Sequence, residues 1–384
     1  MRMQWQASIL DDIGAVVADA WNALGVAAYP HLRHEFLHAL EAHGCLGERF
    51  GWLPRHIVIH DTEGRLVAAC PLYLKSNSYG EFVFDWSWAD AYARNGLEYY
   101  PKLVSASPYT PATGPKLLLA PDAPIELREL LLDRVMALAL ENDCSSIHWL
   151  FTTDEETAHL ENHRYLRRMG CQFHWENRGW NDFDAFLGSL THGKRKNIRR
   201  ERRRTREAGI TFRWLDGHTA SAEDWADFHL LYQSTFDRKG GIPTLSLDFF
   251  EALAHQLPDQ VLLVQARHQG RPVAAAFNLV GEQTLYGRHW GCRERFHSLH
   301  FETCYYQGLE FCLQRGLRRF EPGAQGEHKV SRGFLPTPTW SAHWLGDARF
   351  SRAVQQFLQH EREGMQDYLT EMRSHSPYRQ TMEK

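Results

Sequence analysis

The chain has 384 residues, of which 43% are hydrophobic and 12% aromatic, and its formal net charge is −4. This length predicts two domains at ~100–200 residues each, and the apolar content excludes global disorder. No stretch reaches the ~20 apolar residues of a membrane-spanning helix, and the N-terminus has no export signal. Seven cysteines without a Cys-x-x-Cys pair indicate a reducing compartment. We therefore expect a cytoplasmic protein without a transmembrane segment.

Positive charge is concentrated in one short segment. Residues 194–207 hold nine basic and two acidic side chains, which leaves a formal charge of −11 on the rest of the chain. A basic island on an acidic protein favours a localised contact with an anionic, phosphate-bearing small substrate over general binding to DNA. A solvated helix face, compensated by acidic neighbours elsewhere in the fold, is the alternative.

Two parts of the chain resemble each other in sequence. Residues 30–40 align with 243–253 through shared Pro, Leu, Phe, Ala and Leu positions, and residues 64–69 align with 270–275. The two offsets, 213 and 206, differ by seven residues, which a loop insertion explains. This internal repetition predicts two modules of one architecture.

The predicted elements follow a similar order in both halves. In the first half, periodicity and turn residues predict a helix, three strands, a helix and a strand, near 31–43, 56–60, 66–74, 81–88, 125–142 and 146–151. In the second half they predict two helices, three strands, a helix and a strand, near 222–238, 247–256, 261–267, 272–280, 284–290, 299–314 and 317–321. The strand at 81–88 depends on the alternation of aromatic with other residues from Phe82 to Trp88.

This order predicts a mixed α/β (α+β) fold with two tandem domains, each a mixed, mainly antiparallel sheet flanked by helices. We place the N-terminal domain at residues 1–178 and the C-terminal domain at residues 179–384. The C-terminal domain is expected to contain a basic helix at 194–208 and an amphipathic tail helix at 348–373.

A Trp- and Tyr-rich insertion interrupts the first half. It begins at Trp86, and its counterpart in the second half is only a few residues long, so it exceeds what a connection needs. Trp86, Asp90 and Tyr92 are therefore candidate substrate-binding residues of a lid or acceptor wall. Packing of the Trp side chains in the core is the alternative.

A His-Glu-x-x-His motif occurs at His34, Glu35 and His38. On a helix the two histidines share one face and could hold Zn²⁺, with the Glu as a base. The aligned segment of the second half has Leu247 and Glu251 in place of the histidines, although it keeps the apolar positions. A zinc metallohydrolase is therefore a less favoured alternative, and no metal site is predicted.

The most polar loop follows the last strand of the second half. Residues 321–334 read Glu-Pro-Gly-Ala-Gln-Gly-Glu-His-Lys-Val-Ser-Arg-Gly-Phe. The glycines permit close backbone approach to a ligand, and the run from Glu327 to Lys329 places an acid, a titratable base and a cation in succession. Because loops at strand ends commonly carry ligand sites, we predict a site here. A polar connection without a ligand is the alternative.

These segments resemble the FemAB-like N-acyltransferases of the GNAT superfamily. The resemblance is carried by the basic run with Asn197-Ile198-Arg199, by residues 289–292, by residues 296–302 and by residues 321–329, and it covers roughly residues 30–345. Within this family, the sequence most resembles the proteobacterial branch labelled peptidoglycan biosynthesis or recognition proteins. The resemblance implies two GNAT-like domains and transfer of an acyl or aminoacyl group to an amine, such as that of a cell-wall (peptidoglycan) precursor. It also implies that the basic segment lies near substrate phosphates.

Acyl transfer to an amine needs a proton acceptor, donors for the oxyanion and anchors for anionic groups. The catalytic candidates are His328 and Glu327, with Glu302 and His300 in second place. The candidate substrate-binding residues of the second half are cations, loop residues and one tyrosine: Lys329, Arg332, Gln325, Gly326, Lys194, Arg195, Arg199 and Tyr305.

The acyl donor stays open. Typical GNAT acetyltransferases carry a Q/R-x-x-G-x-G/A loop for the coenzyme A pyrophosphate, and residues 291–298 lack this pattern. Acetyl-CoA is therefore disfavoured as the donor, and aminoacyl-tRNA or another acyl-CoA remains. tRNA is accordingly a candidate partner. No cofactor is predicted. A non-catalytic peptidoglycan-precursor binding protein is the main alternative, and the sequence does not indicate the oligomeric state.

Overall fold

The computed structural model describes residues 5–294, 296–324 and 326–379 and shows the expected mixed α/β architecture. The chain divides into two compact units. The first comprises Met1–Cys171 with Pro338–Asp367, and the second comprises Gln172–Thr337 with Tyr368–Lys384. Within the described part of the chain, no helix combines the length and the apolar character needed to cross a membrane.

The strands of the first unit form two groups. One group is antiparallel throughout and has the order Gln6–Leu10, His56–His60, Leu66–Cys70, Leu118–Leu119. The other has the order Leu335–Leu345, Ser146–Thr152, Lys102–Ser105, Tyr73–Lys75, Trp52–Pro54. In this second group, Lys102–Ser105 and Ser146–Thr152 are parallel and the other pairings are antiparallel.

The helices of the first unit cover these strands. They are Ala18–Asn22, His34–Ala42, Trp86–Arg94, Leu127–Glu141, Asp154–Asn162 and most of Ala348–Ser374. Leu131 and Val135 of the long central helix pack on Ile57, Val67 and Ile147 from the strands, and each of these side chains is at most 1% exposed. Because both strand faces are covered, Ser146–Thr152 is buried at every position and contains apolar residues on both faces.

The second unit is organised around one sheet. Its strand order is Ile210–Leu215, Val261–His268, Arg271–Val280, Thr284–Cys292, Arg319–Glu321, Leu166–Glu176. Its helices are Phe183–Ser189, His192–Glu207, Ala222–Lys239, Leu247–Gln256, Leu299–Phe301 and Gln307–Arg315, and a π-helical turn, Glu302–Tyr306, joins the last two. Ala222–Lys239 begins with a capping box between Ser221 and Asp224, which satisfies free N–H groups of its first turn.

The two pairs of aligned segments adopt matching local structures. The aligned segments 30–40 and 243–253 lead into the helices His34–Ala42 and Leu247–Gln256. The aligned glycines, Gly64 and Gly270, both have left-handed φ values near 80° in the turn between two antiparallel strands. The predicted glycine correspondence therefore reflects one backbone requirement that occurs twice.

The domain boundaries differ from the predicted ones in two places. The first unit ends at Cys171 rather than residue 178, within the strand Leu166–Glu176. The tail helix was expected in the C-terminal domain, but its residues up to Asp367 belong to the first unit. The reason is apolar packing, because Val354 and Leu358 are buried against Trp88, Tyr92 and Tyr99.

The strand predicted at 81–88 is wrong. Residues 81–85 are irregular, with Phe82 at a φ of 61°, and a helix, Trp86–Arg94, follows. The alternation of aromatic with other residues does not mark a strand in this segment. Instead, Glu81 and Asp85 are buried while Phe82 and Phe84 are exposed.

Candidate active site

Two parallel strands of the second unit part at the start of the polar loop, defined as residues 322–334. The strands Thr284–Cys292 and Arg319–Glu321 pair through three residues and stop at Tyr286 and Glu321. The first strand continues to Cys292 beyond this pairing. The chain leaves the sheet at Pro322, which lacks a backbone donor, and at Gly323, whose φ is 91°. The edge of the longer strand beyond Tyr286 therefore lies outside this parallel pairing.

The two preferred catalytic candidates, Glu327 and His328, lie on a 3₁₀ helix, Glu327–Arg332. Glu327 is exposed, and Tyr368 Oη donates a hydrogen bond to its Oε1 at 2.9 Å. His328 Nε2 lies 2.9 Å from Tyr305 Oη. Partial burial lowers the pKa of His328, and the neighbouring Arg332 and Lys329 charges lower it further. The imidazole is therefore neutral near pH 7 and free of ion pairs with a carboxylate among the described residues.

Lys329 and Arg332 are both buried but make different contacts. Lys329 Nζ donates to the Gly323 carbonyl at 2.7 Å, and burial lowers the pKa of this lysine to about 8. Arg332 donates to Tyr306 Oη at 3.0 Å, to the His328 carbonyl at 2.7 Å and to Glu201 Oε1 at 2.7 Å. Its guanidinium is thus engaged within the protein. Arg332 connects the polar loop to its neighbours, which differs from the predicted role of holding a substrate anion.

Two other predicted loop residues have different outcomes. Gly326 precedes Glu327 with a φ of 118°, and a Cβ there would lie 2.5 Å from the His328 ring, so this position requires glycine. Gln325 lies outside the described residues.

The basic helix, His192–Glu207, is compensated toward its C-terminal half. Arg202 Nη2 lies 3.0 Å from Glu302 Oε1 and 2.8 Å from Glu310 Oε2, and Glu201 binds Arg332. The predicted phosphate anchors lie closer to the start of the helix. Lys194 and Arg195 are partly exposed and have no ion pair within the described residues, whereas Arg199 is exposed and lies 3.4 Å from Asp184.

Glu302, His300 and Tyr305 lie around the π-helical turn, a feature that often occurs at functional sites. Glu302 is 3% exposed, and its carboxylate accepts hydrogen bonds from Arg202 and from Gln307 Nε2 at 2.8 Å. Burial raises the pKa of Glu302, and Arg202 opposes this rise. His300 packs edge-on against Trp290 and Tyr305, with ring centroids 5.1 and 5.3 Å apart. The contacts of Glu302 are those of a structural anion.

A second group of ionisable residues in this unit was not among the predicted site residues. We call it the Glu321 cluster, and its members are Glu321, His174, Arg288 and Arg319. Glu321 is the last residue of its strand and 5% exposed, and Arg319 Nη1 and His174 Nδ1 each lie 3.9 Å from its Oε1. Burial raises the pKa of Glu321 to about 7, despite the charges of Arg319 and Arg288. The signal in the sequence was a carboxylate at the end of a short strand, directly before Pro-Gly.

The predicted aromatic wall lies in the first unit. Tyr92 is 3% exposed and packs against Tyr99 and Phe350, as a core residue does. Trp86 is 40% exposed and lies edge-on to Tyr79 at 4.9 Å. Asp90 is exposed and pairs with Arg94 at 2.7 Å along the same helix. Of these three residues, Trp86 presents a large ring to the surface.

The first unit also buries a group of charges that we call the lysine network: Lys75, Glu81, Asp85 and Lys102. Lys75 and Lys102 are direct cross-strand partners and both are 0% exposed. Lys102 Nζ lies 2.9 Å from Glu81 Oε2 and 2.5 Å from Asp85 Oδ2. Lys75 Nζ lies 4.0 Å from Glu81 Oε1 and 3.8 Å from the centre of the Trp52 ring. Two like charges opposite each other repel, and the carboxylates of Glu81 and Asp85 offset this repulsion.

The His-Glu-x-x-His motif makes contacts within the protein. His34 Nε2 is 3.0 Å from the Ile13 carbonyl, and Glu35 is held by Arg33 and Asn22. Among the described residues, a metal could instead be held by Glu129, His159 and His163, whose ligand atoms lie within 4.8 Å of one another. This group is largely exposed, and His163 Nε2 is already paired with Glu129.

Comparisons with known proteins support the fold and the family. The chain is similar to FemX, at 11% identity, a TM-score of 0.55 and coverage of 88% of this chain and 98% of that one. It is also similar to the C-terminal domain of a putative lysylphosphatidylglycerol synthetase from Agrobacterium fabrum, at 10% identity, a TM-score of 0.54 and coverage of 88% and 95%. A tandem GNAT protein from the clavulanic acid pathway matches at 12% identity, a TM-score of 0.48 and coverage of 90% and 99%. No curated protein matches the sequence.

Residues 12–380 match the model of the FemAB-like family, described as peptidoglycan biosynthesis/recognition, and the chain belongs to that family.

Proposed function

We propose that the protein transfers an acyl or aminoacyl group from a polyanionic carrier to an amine, and that the reaction takes place in the second unit. The observation that carries this proposal is the parting of Thr284–Cys292 and Arg319–Glu321 directly before the polar loop. Strand backbone that is free to donate N–H groups can stabilise the oxyanion that forms on the acyl carbonyl. Membership of the FemAB-like family supports this reaction and favours a peptidoglycan precursor as the acceptor.

The side chains around the parted strands suit separate tasks. Lys329 places a buried cation against the loop backbone, where it can attract an anionic group of a substrate. His328 and Glu327 lie at the outer side of the loop as candidates for proton relay. Lys194, Arg195 and Arg199 are the cations of the basic helix that suit carrier phosphates, such as those of tRNA or coenzyme A.

The proposed function is tested by supplying each donor class separately. Purified protein is incubated with aminoacyl-tRNA or with acyl-CoA, together with a peptidoglycan precursor that has a free side-chain amine. We expect the precursor to gain the mass of one acyl or aminoacyl group with one donor class. A precursor that binds to the protein but gains no mass with either donor supports the non-catalytic binding alternative.

A paired charge removal tests the role of the basic helix. Lys194→Ala with Arg195→Ala removes two partly exposed cations, and Arg315→Ala with Arg318→Ala removes two exposed cations elsewhere in the same unit as the control. We expect the first variant to raise the donor KM by about tenfold and to reduce the salt dependence of binding by roughly one unit of slope per lost phosphate contact. The control is expected to change neither. Equal effects of the two variants would show that the basic helix has no special role.

A further inference from the structure

We infer that Glu321 accepts the proton of the attacking amine, and that the nearby His174 Nδ1 favours the protonated form of the Glu321 carboxyl group. The inference rests on the proposed acyl transfer and assigns its general base to residues outside the polar loop.

The first observation is that none of the described residues forms a hydrogen bond to the Glu321 carboxyl group. Its side chain is 5% exposed, and Oε2 is buried without a hydrogen-bond partner in the described part of the structure. The neighbouring nitrogen atoms of Arg319 and His174, both 3.9 Å from Oε1, are too far for direct hydrogen bonds. Buried carboxylates are normally hydrogen-bonded, and such bonds to the charged form make it a weaker base. Glu321 therefore retains the basicity that a paired carboxylate loses.

The second observation is the orientation of His174. Its Nε2 lies 3.0 Å from Gln172 Oε1, so this nitrogen carries the proton and donates it to the amide oxygen. Nδ1 then has a lone pair, is buried without a hydrogen-bond partner among the residues that the structure describes, and lies 3.9 Å from Glu321 Oε1. Burial lowers the pKa of His174 to about 3, so the ring stays neutral. At 3.9 Å this lone pair repels an ionised carboxylate more than a protonated one, which favours the state formed after proton transfer.

The third observation is the balance of charge around the carboxyl group. Arg319 on the same strand and Arg288 on the paired strand favour the anion, while Arg319 is itself paired with Glu176 at 3.1 Å. Lys329 contributes positive charge near His174. Burial outweighs these cations and raises the pKa of Glu321 to about 7. A base with this pKa is ionised in part at neutral pH and still binds a proton effectively.

The other acidic candidates of the unit lack this combination. Glu302 is bound by Arg202 and Gln307, and Glu327 is exposed and accepts from Tyr368. Glu321 differs because it ends the strand Arg319–Glu321, where the parallel pairing stops and the polar loop begins.

The proposed step balances as follows. The amine nitrogen attacks the carbonyl carbon of the ester or thioester donor and forms the C–N bond, and the amine proton passes to Glu321. Collapse of the tetrahedral intermediate breaks the C–O or C–S bond. The alkoxide or thiolate that leaves takes up one proton, which Glu321 returns, so the carboxylate is regenerated.

The test compares Glu321→Gln with the wild type and with Glu176→Gln, which removes an exposed carboxylate from the same cluster of strands. Under the conditions in which the wild type transfers its acyl group, we expect E321Q to lower kcat by at least about a hundredfold, as loss of a general base does. The acidic limb of the wild-type pH profile, centred near pH 7, should disappear in E321Q. E176Q should keep both the rate and the limb.

A melting experiment reads out Glu321 independently of turnover. Because the carboxyl group binds its proton more tightly in the folded state, E321Q should melt at a higher temperature than the wild type at pH 8, and this difference should shrink toward pH 5. An active wild type with a comparably active E321Q overturns the assignment and leaves the proposed function intact. An E321Q that melts lower than the wild type at pH 8 also overturns it, because it shows a paired, structural carboxylate. A wild type that acylates no amine overturns the proposed function itself, and the assignment with it.

Discussion

Asp85 of the first unit and Glu321 of the second unit are buried carboxylates with contrasting surroundings. In the lysine network of the first unit, Asp85 accepts hydrogen bonds from Lys102 at 2.5 Å and from Tyr99 at 2.6 Å. In the second unit, Glu321 accepts none within the described residues, and its Oε2 is buried. Burial favours a higher pKa for Asp85, but the charge and hydrogen bond of Lys102 hold that pKa well below its usual range, whereas burial raises the pKa of Glu321 to about 7. The comparison teaches that similar modules keep one carboxylate as a fixed anion and leave another able to exchange a proton.

The lysine network also explains an unusual loop. Residues 76–85 turn Glu81 and Asp85 inward toward the lysines while Tyr79, Phe82 and Phe84 are exposed. Buried ion pairs of this kind add little net stability, because desolvation offsets their attraction. Removal of one partner is nevertheless costly, since it leaves the other charge buried.

The largest expected effect is the loss of Lys102. Lys102→Met should lower the free energy of unfolding by ~3–5 kcal/mol, because Glu81 and Asp85 would remain buried without their cation. Lys75→Met is the matched control, since this lysine has a pKa lowered to about 7 by burial and makes no hydrogen bond to a carboxylate in the described structure. Its substitution should cost about 1 kcal/mol. Urea unfolding measures both, and equal losses would contradict the distinct roles of the two lysines.

The next prediction concerns the pH dependence of folding stability, which has opposite signs for Asp85 and Glu321. Asp85 has a lowered folded pKa, so its contribution to stability is present above its unfolded pKa and is lost as pH falls through the folded one. Glu321 has a raised folded pKa, so its contribution is present below its unfolded pKa and is lost as pH rises through about 7. At pH 8, Asp85→Asn should therefore destabilise the protein by ~2–3 kcal/mol through loss of charged hydrogen bonds. Glu321→Gln should stabilise it, by an amount on the order of 3 kcal/mol.

Chemical unfolding of these two variants at pH 5 and pH 8 tests this contrast. The stabilisation by E321Q should be smaller at pH 5, whereas the loss in D85N should remain, because pH 5 is still above the usual pKa of an aspartate. Destabilisation by both substitutions at pH 8 would remove the difference between the two clusters.

Much of the fold was accessible from the sequence because local patterns decide it. The helix Leu247–Gln256 and the strand His56–His60 have the predicted bounds, since capping residues and apolar periodicity act within a few residues. The aligned glycines likewise identified equivalent turns. The strand predicted at 81–88 failed because long-range contacts of Glu81 and Asp85 with Lys102 determine that loop. The predicted domain of the tail helix was wrong for the same reason, since Val354 and Leu358 pack on residues far away in sequence.

For the candidate site, the sequence identified the glycine-flanked loop but not the contacts of its residues. The glycine-flanked loop does begin where the parallel strands part. Sequence could not show that Arg332 is engaged by Glu201 and Tyr306, or that Glu302 is engaged by Arg202. It also could not identify Glu321, because its burial without a hydrogen bond from any described residue depends on three strands that meet only in the folded chain.

The smallest expected effects separate the structural from the exposed residues of the aromatic insertion. Tyr92→Phe removes a buried hydroxyl that has no hydrogen-bond partner within the described residues, so it should leave stability unchanged or raise it by up to about 1 kcal/mol. Trp86→Ala truncates a ring that is 40% exposed and should cost about 1 kcal/mol or less. If this ring contacts the acceptor, W86A should raise the acceptor KM severalfold while Y92F does not. Because both proteins should fold, the ratio of their acceptor KM values measures the contact directly, and a ratio near one assigns the insertion to packing rather than to substrate binding.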